Sequence, residues 1–94
     1  MTTSDVLRTV RVRYWAAAAH AAGTDADQVE ITGPVTLAEL SKTIVALHPG
    51  GRFAEVLDTC SVLIGDRPVS SSDPAAVIVQ PGDSVEFLPP FAGG

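Results

Sequence analysis

Apolar and polar residues alternate with period two from Thr9 onward, with Val10, Val12 and Tyr14 on one face and Arg11 and Arg13 on the other. That pattern predicts a strand with one buried side. Residues 16–22, AAAAHAA, are strong helix formers followed by Gly23, which can close a helix in the left-handed conformation, so a short helix is expected there. Alternation resumes through Val29 and Ile31 and predicts a second strand over residues 28–32, within hairpin or meander distance of the first. Gly33 and Pro34 break it.

The strongest local signal is VTLAELSKTIVALHPG. Thr36 with Glu39 three residues on is a capping box, and Val35 and Leu40 are placed for a hydrophobic staple. At about 100° per residue, Leu37, Leu40, Ile44 and Leu47 form one stripe while Glu39, Lys42 and Ala46 point away, so the helix covers a sheet with one face. His48 and the Pro49-Gly50-Gly51 run end it.

After a segment with the makings of another helical turn, RFAEVLDT, strand character returns in CSVLI, residues 60–64, then a Gly65-Asp66 turn and a short RPV strand. VIVQPGDSVEFL holds two apolar runs about Pro81-Gly82, a pair suited to a type II turn. Val85 and Phe87 share one face of the last run, and Glu86 and Leu88 the other. One helix between a leading strand pair and a trailing set of strands predicts an α+β domain, a mixed sheet of four to five strands packed by one main helix. The start is polar through Asp5, so residues 1–6 are expected to be disordered, residues 7–88 to form the domain, and residues 89–94 to form an extended tail.

Composition narrows the partners. Six basic against eleven acidic residues give a net charge of −5, which opposes nucleic acid and anionic membrane surfaces and favours a basic protein partner. The single cysteine, Cys60, cannot close an internal disulfide, and no apolar run is long enough to span a bilayer, so a cytoplasmic protein stabilised by packing is expected. Cys60 opens an apolar run with no flanking cation and reads as a small hydrophobe. His20 and His48 lack a second ligand at metal spacing, and no nucleophile stands beside a base, so neither a metal nor turnover by the isolated chain is expected.

The sequence closes on PGDSVEFLPPFAGG. Taken with VRVRYWAAAAHAAG as opening strand and turn and VTLAELSKTI as capped helix, residues 10–94 resemble the small ubiquitin-like sulfur carriers. The likeness is greatest to the small subunit of molybdopterin synthase. The specific part is the end: Gly82-Asp83, a short apolar strand at residues 85–88, then Pro89, Pro90, two residues, Gly93 and Gly94. In the turn after the first strand, where the family often carries an Arg-Glu pair, this chain has alanines and His20.

The resemblance implies a β-grasp fold and a chain end that acts as the reagent. The Gly94 carboxylate is expected to be activated as an acyl-adenylate, with ATP used by a partner enzyme, and converted to a thiocarboxylate. Its sulfur then forms the molybdopterin dithiolene inside the large synthase subunit. The implied partners are that large subunit in a heterotetramer, the ATP-dependent activating enzyme and a sulfurtransferase; no cofactor is bound by the chain itself. Glycines at 93 and 94 suit this, since without Cβ atoms they thread a narrow channel and leave the carbonyl open to attack. Pro89 and Pro90 end the last strand as a stiff stem, while Leu88, Phe91 and Ala92 are the expected partner contacts. Sulfur carriage to thiamine or cysteine synthesis, or a ubiquitin-like modifier or interaction module, are the alternatives that stay open on the sequence.

Overall fold

The computed structural model describes residues 8–69 and 73–90. The expected disordered start at residues 1–6 lies outside them, as do residues 91–94 of the expected tail. Strand β1 (Thr9–Tyr14) buries Val10, Val12 and Tyr14 and exposes Arg11 and Arg13, as its alternation requires. Helix α1 (Ala17–Ala22) follows and closes on Gly23, whose φ of 75° directs its N–H to the Ala19 carbonyl at 2.9 Å. Ahead of the helix, Ala16 stands at φ 53°, a positive value that strains a residue with a Cβ.

Strand β2 (Ala26–Glu30) pairs antiparallel with β1, from Arg13 opposite Ala26 to Thr9 opposite Glu30. The expected strand at 28–32 therefore starts and ends two residues early. The extent of β1 decides how far its partner pairs, and Ile31 makes one further bond, its N–H reaching the Arg8 carbonyl at 2.7 Å.

A two-residue strand β3 (Val35–Thr36) leads into α2 (Leu37–Leu47), where the capping box is present in full. The Glu39 N–H donates to Thr36 Oγ1 at 3.0 Å, and the Thr36 N–H donates to Glu39 Oε1 at 2.9 Å. Leu37, Leu40 and Ile44 are buried, but Leu47 is 51% exposed and does not complete the stripe. His48 takes the inward place after it, with its ring 5.3 Å from that of Phe53. Helix α3 (Phe53–Thr59) is longer than the expected turn, since Phe53 and Leu57, four apart, both enter the core.

Strand β4 (Ser61–Ile64), β5 (Arg67–Pro68), a 3-10 turn at Pro74–Ala76, β6 (Ile78–Val79) and β7 (Ser84–Leu88) complete the chain. Cys60 caps α3 instead of opening β4. The type II turn is present between β6 and β7: Gly82 stands at φ 91°, and the Asp83 N–H donates to the Gln80 carbonyl at 3.0 Å. That turn does not join a hairpin, because β6 pairs with β3 in a separate two-stranded sheet.

The main sheet is mixed and five-stranded, in the order β2-β1-β7-β4-β5, with β7 central, parallel to β1 and antiparallel to β4. Inward residues Val12, Val85 and Phe87 meet Leu40, Ile44 and Phe53 from the helices in one core. Burying a side chain of this size contributes about 1.5–3 kcal/mol, so a handful of such residues exceeds the net stability of an ordinary domain before chain entropy is subtracted. This is the expected β-grasp arrangement: α2 is the one main helix, α1 stands where a short helix was expected, and α3 extends the expected helical turn.

Candidate functional site

The last strand ends where the sequence requires. Leu88 is the final residue of β7, half-buried and paired with Ser61 of β4, and Pro89 and Pro90 follow, both exposed. Neither proline can donate to a ladder, so the sheet stops and the chain leaves it here. Phe91, Ala92, Gly93 and Gly94, the remaining expected site residues, lie outside the described residues.

What surrounds this exit comes from the far end of the sequence. Tyr14 pairs with Phe87 across the parallel ladder, and the next residue, Trp15, donates its backbone N–H to the Phe87 carbonyl at 3.0 Å. The Trp15 indole Nε1–H donates to Glu86 Oε1 at 2.8 Å, and the Arg13 guanidinium lies 4.8 Å from the ring centroid. An indole fixed in this way but 41% exposed presents apolar area whose rotamer is already chosen, as a contact surface needs. The sequence marks Trp15 only as part of the opening strand and turn. Glu86 is 71 positions away, and no local spacing signals their contact.

A second cluster was also missed. Asp27 Oδ2 accepts from the Tyr14 hydroxyl at 2.8 Å and stands 2.6 Å from His48 Nε2, tying β1 and β2 to the end of α2. Burial, then the bond and the charge of Asp27, hold the Tyr14 hydroxyl well above its ordinary pKa, so it remains a neutral donor. His48 and Phe53 both meet the Tyr14 ring edge-on, which places this network in the wall of the core instead of at an open cleft.

Cys60 is half-buried, its thiol donating to the Val56 carbonyl at 3.3 Å, and burial pushes its pKa up. A thiol raised in this way is a weak nucleophile. Among the described residues no group of three or more His, Cys, Asp or Glu side chains could hold a metal ion, and no helix is long and apolar enough to cross a membrane.

The chain is similar to known proteins along most of its length. It is 30% identical over 86 residues to a molybdopterin synthase sulfur carrier subunit of Aspergillus niger, covering 92% of this chain and 94% of that protein. Its fold matches SAMP1 of Haloferax volcanii, with a TM-score of 0.68 at 23% identity over 92% of this chain and 99% of that one. It also matches a chain in the complex of subunits 1 and 2 of the molybdopterin-converting factor of Helicobacter pylori, with a TM-score of 0.59 at 21% identity over 92% of this chain and 99% of that one. The model of the ThiS family matches residues 12–94, from β1 through the Gly-Gly pair, and the chain belongs to that family.

Proposed function

We propose that this chain is a sulfur carrier, acting as the small subunit of molybdopterin synthase with Gly94 as the residue that bears the sulfur. The observation that carries the reading is the likeness, over nine tenths of both chains, to a relative named as that subunit. The fold supports it: the central strand β7 delivers Pro89 and Pro90 to one end of the sheet, so the segment after Pro90 starts from a rigid base. A reactive group held on such a base retains the positional accuracy that a loop alone would lose.

In this reading a Gly94 carboxylate oxygen attacks the α-phosphorus of ATP on an activating enzyme, and pyrophosphate leaves. The terminal sulfur of a persulfide held by a sulfurtransferase then displaces AMP from the acyl carbon. A second thiol attacks the donor's sulfur in the resulting acyl disulfide, which leaves a disulfide on the donor side and the thiocarboxylate on Gly94. Gly93 and Gly94 keep that carbon accessible, since neither carries a Cβ. The thiocarboxylate passes into the large subunit, within a heterotetramer, and its sulfur is transferred to the pterin precursor to build the dithiolene. The chain itself binds no cofactor and works in the cytoplasm.

A partner that receives the segment after Pro90 must lie against the end of β7. There it meets Leu88, Pro89, Pro90 and the fixed indole of Trp15, with Phe91 and Ala92 as further contacts. The net charge of −5 favours a basic surface opposite. Incubation of the full chain with the activating enzyme, ATP and a sulfur donor should exchange one oxygen for one sulfur at Gly94, read by intact and fragment mass spectrometry. A sulfur adduct confined to Cys60 would overturn the assignment, and an isopeptide from Gly94 to a lysine would replace it with the modifier role.

A further inference from the structure

Half of the six basic residues in this acidic chain fall in one short stretch, at Arg8, Arg11 and Arg13. Arg11 and Arg13 are two apart on β1 and both project from the outer face of the sheet, away from the helices. Opposite Arg11 stand Gln28 of β2 and Ser84 of β7; opposite Arg13 stand Ala26 of β2 and Glu86 of β7. The small Ala26 leaves room, and a groove of about 340 Å3 opens there, lined by Arg11, Arg13, Ala26, Asp27 and Gln28.

Neither guanidinium forms an ion pair among the described residues. The carboxylates on this outer face are Glu86, opposite Arg13, whose Oε1 accepts from the Trp15 indole, and Glu30, two residues from Gln28 on β2. Neither is within ion-pair distance of Arg11 or Arg13. Asp27 stands opposite the inward Val12, where it accepts from Tyr14 and meets His48. Arg13 is further oriented by the Trp15 ring beneath it. Two planar forks of donors with a side-chain amide beside them match the shape and charge of a tetrahedral oxyanion, which guanidinium binds bidentately.

We propose that Arg11 and Arg13, with Gln28, form a binding site for a phosphoryl oxyanion on the outer face of the sheet. The net charge of −5 repels anions from the molecule as a whole, so saturable binding at this face reports the local arrangement and not a general attraction. The proposal does not depend on the chemistry assigned to Gly94.

The test is an NMR titration of the arginine Nε–Hε signals of the full chain with inorganic phosphate, ionic strength being held constant with chloride. Saturable shifts at Arg11 and Arg13 are expected, with affinity reduced about tenfold or more in Arg11→Gln and again in Arg13→Gln. Arg67→Gln, at the far edge of the same sheet, should leave the affinity unchanged. Both Arg11 and Arg13 are exposed, so an unaltered amide spectrum should confirm that the variants fold. Methyl phosphate separates the sources: equal binding assigns the site to phosphomonoesters, and binding of inorganic phosphate alone assigns it to the free ion. Shifts that rise linearly without saturating, or an equal loss in Arg67→Gln, would overturn the proposal.

Discussion

Trp15 and Glu86 are 71 positions apart, and the indole Nε1–H of the first donates to the carboxylate of the second at 2.8 Å. The bond is a product of the parallel register between β1 and β7, which sets Tyr14 opposite Phe87 and so brings Trp15 alongside the end of the last strand. The indole thereby stands beside β7, whose last residue is Leu88.

Trp15→Ala should therefore weaken binding to the large synthase subunit about tenfold or more, the effect of losing an aromatic anchor of about 2 kcal/mol. Because the ring is 41% exposed, unfolding free energy should fall by less than about 1 kcal/mol. Calorimetric titration and urea unfolding on the same variant check both. Full affinity with a large loss of stability would show that the ring serves the fold alone.

The contrast between what was legible and what was not follows sequence distance. The Thr36 and Glu39 capping box and the Gln80 to Asp83 turn are visible in the sequence because each closes within three residues. Trp15 and Glu86, or Tyr14, Asp27 and His48, meet only after segments 13 to 71 positions apart have come together, and nothing in their own neighbourhoods marks them. Leu47 shows the limit of periodicity: it has the right phase, yet His48 fills the inward place at the end of the helix. Helix α3 was underestimated because seven residues are too few for periodicity to separate from a turn, while Phe53 and Leu57 owe their burial to tertiary packing. The role of Gly94 was read from a family resemblance and not from any local physical signal.

Ala16 holds φ 53° in the turn where the Ala18 N–H donates to the Trp15 carbonyl at 3.0 Å. Such a conformation costs a residue with a Cβ about 1–3 kcal/mol, against about 0.5–1 kcal/mol of extra chain entropy for glycine. Ala16→Gly should accordingly raise the unfolding free energy by about 0.5–2 kcal/mol, measured by urea denaturation. A decrease would mean that the turn carries no strain.

Burial and the Asp27 carboxylate hold the Tyr14 hydroxyl above its ordinary value of 10.0, so the neutral form is favoured in the folded state. The unfolded chain ionises first as the pH climbs. The associated stability is complete below about 10 and is lost progressively at higher pH. Tyr14→Phe should lower stability at neutral pH by about 1 kcal/mol through the missing hydrogen bond, and should flatten the alkaline decline. A Cys60→Ala background removes the parallel contribution of the thiol, which burial also raises from its ordinary 9.0. Denaturation midpoints from pH 7 to 11 decide the matter; an equal alkaline decline with and without the hydroxyl would discount Tyr14 as its source.

Separating tail chemistry from folding requires variants that touch one and spare the other. The buried core of the described residues runs from Val10 to Phe87, and none of it lies beyond β7. Deleting Gly94, or adding one residue after it, should therefore change unfolding free energy by no more than about 0.5 kcal/mol. Either change moves the reacting carboxylate by about 3.5 Å, one residue of extended chain, and covalent chemistry requires its atoms within a narrower range than that. Sulfur transfer should be abolished while the large subunit still binds through the surface around Trp15 and Leu88. Stability, partner affinity and thiocarboxylate formation measured on the same variants distinguish the outcomes: transfer at near the parental rate from the truncated chain would remove Gly94 from the mechanism, and lost binding with unchanged stability would place the principal docking contacts in the tail.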